Sequence, residues 1–309
     1  MRMSLVTDSL GYMSFEEMID TAEAAGYEVL EFATGNWSEA PHLNVDELLN
    51  SSIQRERFVN ELNKRGLKME ALNCSGNQLA PNDSGKHHQL GVKKTFRLAE
   101  LLGINTIIMM SGLPGGGPGE TTPNWITTSW PPINSEILNW QWEEVALPYW
   151  EKTVQEAKNH GIEKIALENH GSQLVYNRET LMRLRDHVGE MIGMNFDPSH
   201  LFWMGGDPIM AVRSLGNAIY HVHAKDTRLE KGILETEGSL DTKSVHSFSG
   251  RSWNFTALGY GHDVTWWKEF FTLLRMNGYD GPVSLELEDY TMDPLTAFYK
   301  STNVLKEVL

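Results

Sequence analysis

Short apolar runs rich in Val, Ile, Leu and Met recur along the chain, and a segment of helical periodicity follows each one. The first is Ser4–Thr7, after which Ser14-Phe15-Glu16-Glu17 opens a helix with Ser at the cap and Glu three residues on; this helix stops at Ala25-Gly26. Val29–Phe32 precedes a helix over Gln54–Arg65, and Lys68–Leu72 precedes one over Gln89–Leu102; Gly66 and Gly103 close them. Asn105–Met110 leads to a helix over Gln141–Gly161, Lys164–Leu167 to Arg178–Val188, and Ile192–Phe196 to Asp207–Leu215. Ala218–Val222 and Val283–Leu285 are the last strands, with helices over Thr265–Asn277 and Pro294–Val308. The pattern reads as eight strand–helix units, with neither adjacent helices nor a hairpin. Such alternation implies a parallel sheet, and eight units in 309 residues fit a single (β/α)₈ TIM barrel spanning residues 1–309. A doubly wound open sheet is the competing arrangement, but no Gly-x-Gly-x-x-Gly follows the first strand.

Two long loops interrupt the rhythm, after strands 4 and 7. Ser111–Trp140 carries Gly115-Gly116-Gly117, several prolines and three tryptophans; Asp226–Asp263 carries Arg251, Trp253 and the run Gly259-Tyr260-Gly261-His262. Both fall on the C-terminal face of a barrel, where active sites are built. The triple glycine lacks the Gly-Lys-Ser/Thr ending of a phosphate loop and reads as a turn.

Composition narrows the partners. The 41 acidic and 26 basic side chains leave a net charge of −15, which argues against binding nucleic acid or anionic lipid. The single cysteine, Cys74, excludes an internal disulfide and any Cys-based zinc site. No apolar stretch approaches the 18 residues of a membrane span, and an aspartate interrupts the N-terminal segment before a signal-peptide core forms. The expectation is a cytoplasmic protein acting on a small molecule.

The chemistry stands at the ends of the late strands. Strand 5 ends in Glu168-Asn169-His170, strand 6 in Asp197-Pro198-Ser199-His200, strand 7 in His221-Val222-His223 followed by Lys225-Asp226, and strand 8 in Glu286-Leu287-Glu288. A lone acid in such a place is usually a helix cap, and Asp-Pro-Ser is a common capping step. Four donors in four successive units are a different matter. Glu168, Asp197, His223 and Glu286 form a mostly oxygen shell suited to one divalent ion, Mn²⁺ or Mg²⁺ before structural zinc. His221 shares a strand face with His223, but His223 is nearer the strand end and is the better ligand.

These segments, with Arg251-Ser252-Trp253, Gly259–His262 and Gly278–Glu286, resemble the xylose isomerase-like TIM-barrel superfamily in its sugar phosphate isomerase/epimerase branch, over nearly the whole chain. The resemblance implies that Glu168, Asp197, His223 and Glu286 bind the metal and that Glu168 and Glu286 double as an acid/base pair. Leu287 stands where relatives often carry histidine, and Gly171 where they often carry proline. The implied activity is a metal-dependent sugar isomerase or epimerase that abstracts a proton next to a carbonyl. The alternative is a lyase that cleaves 3-keto-glycosides by elimination, with His170 as base or as an orienting partner. Some lyases of that kind work with a small partner subunit, and a homo-oligomer is the other assembly to consider. A third reading, a non-catalytic binding or partner-subunit barrel, is disfavoured by the intact ligand set. His200, Lys225, Arg251, Trp125 and Trp253 are candidates to touch a carbohydrate substrate, the tryptophans by stacking on sugar rings.

Overall fold

Each apolar run read as a strand forms one, within about two residues of the expected ends. The computed structural model describes residues 1–309. Its strands are β1 (Arg2–Val6), β2 (Val29–Ala33), β3 (Lys68–Asn73), β4 (Thr106–Met109), β5 (Lys164–Glu168), β6 (Ile192–Phe196), β7 (Ile219–Ala224), β8 (Asp226–Leu229), β9 (Trp253–Thr256) and β10 (Pro282–Leu285). Eight of them close a barrel in the order β1-β10-β7-β6-β5-β4-β3-β2, while β8 and β9 form a separate two-stranded sheet. The fold is a (β/α)₈ barrel. All residues of β2 and β6 are buried, as expected for parallel strands covered on both faces.

Contacts group the chain into two compact units. The first comprises Met1–Phe32, Val59–Met69 and Asn195–Leu309. Within it β10 lies between β1 and β7, in a register that sets Ser284 opposite both Ser4 and His223. The helix Val264–Met276 buries Trp267, Phe270, Phe271, Leu273 and Leu274 along one face. The helix Phe15–Ala24 starts with the capping box read from the sequence: Ser14 N–H donates to Glu17, and Glu17 N–H to the Ser14 hydroxyl. The second unit comprises Ala33–Phe58 and Glu70–Met194. There β4 pairs with β5, Thr106 opposite Lys164 and Met109 opposite Leu167.

The structure corrects the strict alternation in three places. Helices Val45–Asn50 and Ser52–Lys64 are adjacent, separated by Ser51 in an extended conformation. Helices Pro198–Met204 and Pro208–Leu215 are adjacent too, separated at Gly205, whose φ of +80° ends the first of them. The insertion after β7 contains an antiparallel pair, with Asp226 opposite Thr256 and Leu229 opposite Trp253. Two helix limits also shift. The helix expected from Gln89 begins at Asp83 because Asn82 caps it, and the one expected from Gln141 is preceded by Ile133–Trp140 and passes through a π-helical turn at Gln141–Ala146.

Both long loops are pinned. In the first, the Asn77 side chain bonds Leu113 through both its amide donor and its carbonyl, and the Gln141 amide donates to the Gly115 and Asn124 carbonyls. Gly116 N–H donates to Glu120 of the same loop, so the triple glycine is a turn folded around the chain's own carboxylate.

Candidate metal centre

β6 ends at Phe196, and the next residue, Asp197, turns the chain into the helix Pro198–Met204. One carboxylate oxygen of Asp197 caps this helix by accepting the Ser199 N–H at 2.8 Å; the other lies 3.3 Å from His200 Nε2. Capping and ligation are therefore compatible in one side chain. On β7, the two-residue period turns His221 and His223 toward the same side. Glu286 follows β10, but its N–H donates to the Ala224 carbonyl at 3.2 Å, so the β10–β7 ladder runs one residue further and sets Glu286 beside His223. Glu286 Oε2 is 3.0 Å from His223 Nδ1.

Asp197, His223 and Glu286 each offer a donor atom, and these atoms lie within 4.8 Å of one another. Asp197 and His223 are wholly buried, and the Glu286 side chain is 22% exposed. Two carboxylates and an imidazole held this close in a buried setting suit a divalent cation, which would offset the repulsion between the two acids. Glu168, the fourth residue of the expected set, closes β5 and is buried.

Sequence reading missed Glu31. This β2 carboxylate is fully buried, with Oε2 2.8 Å from His221 Nε2 and Oε1 3.1 Å from His223 Nε2. Burial works against its charge, but the facing imidazoles of His223 and His221 outweigh that and hold its carboxyl well below the usual carboxylate range. The only signal was an acid inside the otherwise apolar Val29-Leu30-Glu31-Phe32-Ala33.

The remaining candidates divide by what holds them. Lys225 is buried, with its ammonium 3.0 Å from Glu288, 3.4 Å from Glu286 and 4.3 Å above the Phe255 ring. His200 is buried between Asp197 and the edge of Phe255, and it accepts the Trp203 indole N–H at 3.4 Å. Arg251 holds the insertion together: its guanidinium donates to the Trp253 and Lys243 carbonyls and lies 4.6 Å from the Trp253 ring centre. Trp253 itself stacks on Trp203, with ring centres 5.0 Å apart, and donates its indole N–H to Ser239.

In the second unit, β5 ends at Glu168, and the His170 N–H turns back to the Glu168 carbonyl. Strand alternation therefore does not govern His170, whose Nδ1 meets the Gly171 carbonyl and whose ring lies 6.2 Å from that of Trp37. Trp125 packs edge-on against Tyr176 and walls a cavity of about 130 Å³ together with Leu174, Trp142 and Arg183. No helix of the chain is long and apolar enough to cross a membrane.

The family model described as xylose isomerase-like TIM barrel matches residues 19–308. The chain is 54% identical to the uncharacterized protein YfiH of Bacillus subtilis (strain 168), over 100% of this chain and 99% of that one. It is 31% identical over 156 residues to an inosose dehydratase of Mesomycoplasma hyopneumoniae (strain J), a match spanning 50% of each chain. Among solved structures, the IolI protein with a bound zinc atom superposes with a TM-score of 0.68 at 17% identity, covering 100% of this chain and 98% of that one.

Proposed function

Because the chain belongs to the xylose isomerase-like TIM-barrel family, we propose that it is a divalent-metal-dependent enzyme that removes a proton beside the ketone of a polyhydroxylated, sugar-like substrate and then eliminates water from the neighbouring carbon. The observation that carries this reading is the convergence of Asp197, His223 and Glu286 at the ends of β6, β7 and β10. Glu168, from the end of β5, would complete a set of four donors able to hold one ion, with Mn²⁺ or Mg²⁺ matching its oxygen-rich character. When bound, the ion supplies Lewis-acid polarisation of the substrate carbonyl.

The chain's own residues do the rest. A carboxylate, Glu286 or Glu168, accepts the proton from the carbon beside the carbonyl. The electron pair of that C–H bond becomes the new double bond, and the hydroxyl on the next carbon leaves as water with a proton from His170. Lys225, held between Glu286 and Glu288, balances the acids at this edge of the site. The sequence match to inosose dehydratases supports elimination as the outcome. Epimerisation is the second reading, supported by two carboxylates from separate strands, one of which would remove the proton and the other return it to the opposite face.

The test is incubation of the Mn²⁺-loaded protein with inososes, ketoses and 3-keto-glycosides in D₂O. Loss of one water per turnover supports elimination, whereas a recovered epimer carrying one deuterium supports the second reading. The absence of both deuterium uptake and product across the panel would refute proton abstraction. His170→Asn, assayed on a turned-over substrate, is expected to cost roughly 10²–10⁴-fold for elimination. A loss below about tenfold with the metal retained would remove His170 from the chemistry.

A further inference from the structure

The donor set above uses one nitrogen of His223; the other faces a carboxylate that has so far been given no task. Glu31 lies on β2, and both of its oxygens are close to His223 Nε2, at 3.1 and 3.2 Å. Glu31 Oε2 is also 2.8 Å from His221 Nε2, which in turn lies 2.9 Å from the Ser284 hydroxyl. Ser284 donates its own proton to Ser4 at 2.9 Å, so toward His221 it accepts. An ionised carboxylate only accepts as well, so this chain of contacts places a proton on Nε2 of both imidazoles. A neutral imidazole with its proton on Nε2 has its lone pair on Nδ1. In His223 that atom is the one 3.0 Å from Glu286.

We propose that Glu31 is a positioning residue: it fixes the His223 ring and its tautomer from behind, so that Nδ1 is the nitrogen presented to the metal. His221 takes up the rest of the carboxylate's accepting capacity, and the Ser284 hydroxyl steadies the His221 ring by accepting from the same nitrogen. The inference rests on the metal reading above. Glutamine at this position would keep the shape but not the task, because its amide can accept from one imidazole only by turning N–H donors toward the other.

The experiment uses the chelator-stripped 309-residue chain as wild type, Glu31→Gln and Ser284→Ala, titrated with Mn²⁺ while free Mn²⁺ is read by electron spin resonance. A ¹⁵N-histidine spectrum of the Mg²⁺-loaded forms, with His223 assigned through His223→Asn, reports the tautomer. The expected result is one Mn²⁺ per wild-type chain and a 10–100-fold weaker dissociation constant in Glu31→Gln, the usual weight of a group that orients a ligand. Ser284→Ala, which leaves Glu31 and His223 in place, should change affinity by less than about threefold. The wild-type spectrum should show His223 protonated on Nε2, and this signal should shift in Glu31→Gln. Mn²⁺ affinity in Glu31→Gln within about twofold of wild type would overturn the inference and leave the metal reading standing. Two ions per chain would also overturn it, by making Glu31, His221 and His223 a site in their own right. Absence of Mn²⁺ binding in the wild type would remove both readings. Should Glu31→Gln not fold, the wild-type spectrum alone decides, since a proton on Nδ1 of His223 contradicts the proposal.

Discussion

Asp226 has one carboxylate and five hydrogen bonds. It accepts backbone N–H groups from Thr227, Gly259, Gly261 and His262 and the ring N–H of His262, all between 2.9 and 3.1 Å. Asp226→Asn would turn an amide NH₂ against some of those donors, and we expect a loss of about 2–4 kcal/mol, read as a lowered midpoint of thermal unfolding. Gly261 allows the approach: a Cβ there would lie 2.4 Å from the Thr227 carbonyl oxygen. Asp241 acts similarly in the insertion, where burial works against its charge but N–H groups of Lys243 and Ser252 and the Lys243 ammonium outweigh it, giving a pKa of about 2. A carboxyl whose folded pKa is depressed contributes stability above its unfolded value, near ~3.9, and loses it as pH falls toward the folded value. The stability difference between wild type and Asp241→Asn should therefore be constant above about pH 5 and shrink as pH falls through 4 to about 2. A difference independent of pH over that window would contradict the assignment. At this scale the sequence was partly readable. Asp197, His223 and Glu286 could be singled out as candidates because they stand at or next to strand ends, whereas Glu31 sits mid-strand and its partner His221 lies 190 residues away.

Strands were the most legible elements, because burial on both faces demands continuous apolar runs. The alternation of β7 also told correctly that His221 and His223 share a side. The insertion after β7 was less legible, since β8 pairs with β9 across more than twenty intervening residues and β9 is packed through aromatic contacts that one-dimensional patterns do not pair. Trp253 joins β9 to the helix Pro198–Met204 through its stack on Trp203, and the Arg251 guanidinium lies 4.6 Å from the Trp253 ring centre. Truncating a buried tryptophan costs about 3–5 kcal/mol. Trp253→Ala should thus loosen the insertion locally, and limited trypsin digestion should reveal early cleavage after Lys243 and Arg251. Unchanged digestion with an unchanged melting profile would show that the stack carries little.

For the whole molecule, a metal held at the proposed site would be linked to the fold through mass action. An ion that binds only the folded chain, supplied at 100 times its dissociation constant, adds about 2.7 kcal/mol. We expect Mn²⁺ to raise the unfolding midpoint by about 5 °C, and chelation to reverse the gain. In Asp197→Asn and Glu286→Gln the chelated midpoint should stay within a few degrees of wild type while the Mn²⁺-dependent rise disappears. Retention of that rise in both would contradict the ligand assignment. The barrel was legible as a class because eight repeats leave few alternatives, but which side chains meet across it depends on strand neighbours far apart in sequence.

The pairing of β1 with β10 brings together Ser4 and Ser284, 280 residues apart. A ribosome adding about 5–20 residues per second makes β1 wait roughly 14–56 s for that partner. During this time β2 can pair with only one side of β1. The other side is a bare parallel edge of buried-type residues, open to pairing with any neighbouring chain. Glu286, the last of the proposed ligands to emerge, comes one position after the strand that covers this edge. Completion of the proposed ligand set and the covering of this edge would therefore be the same event in time.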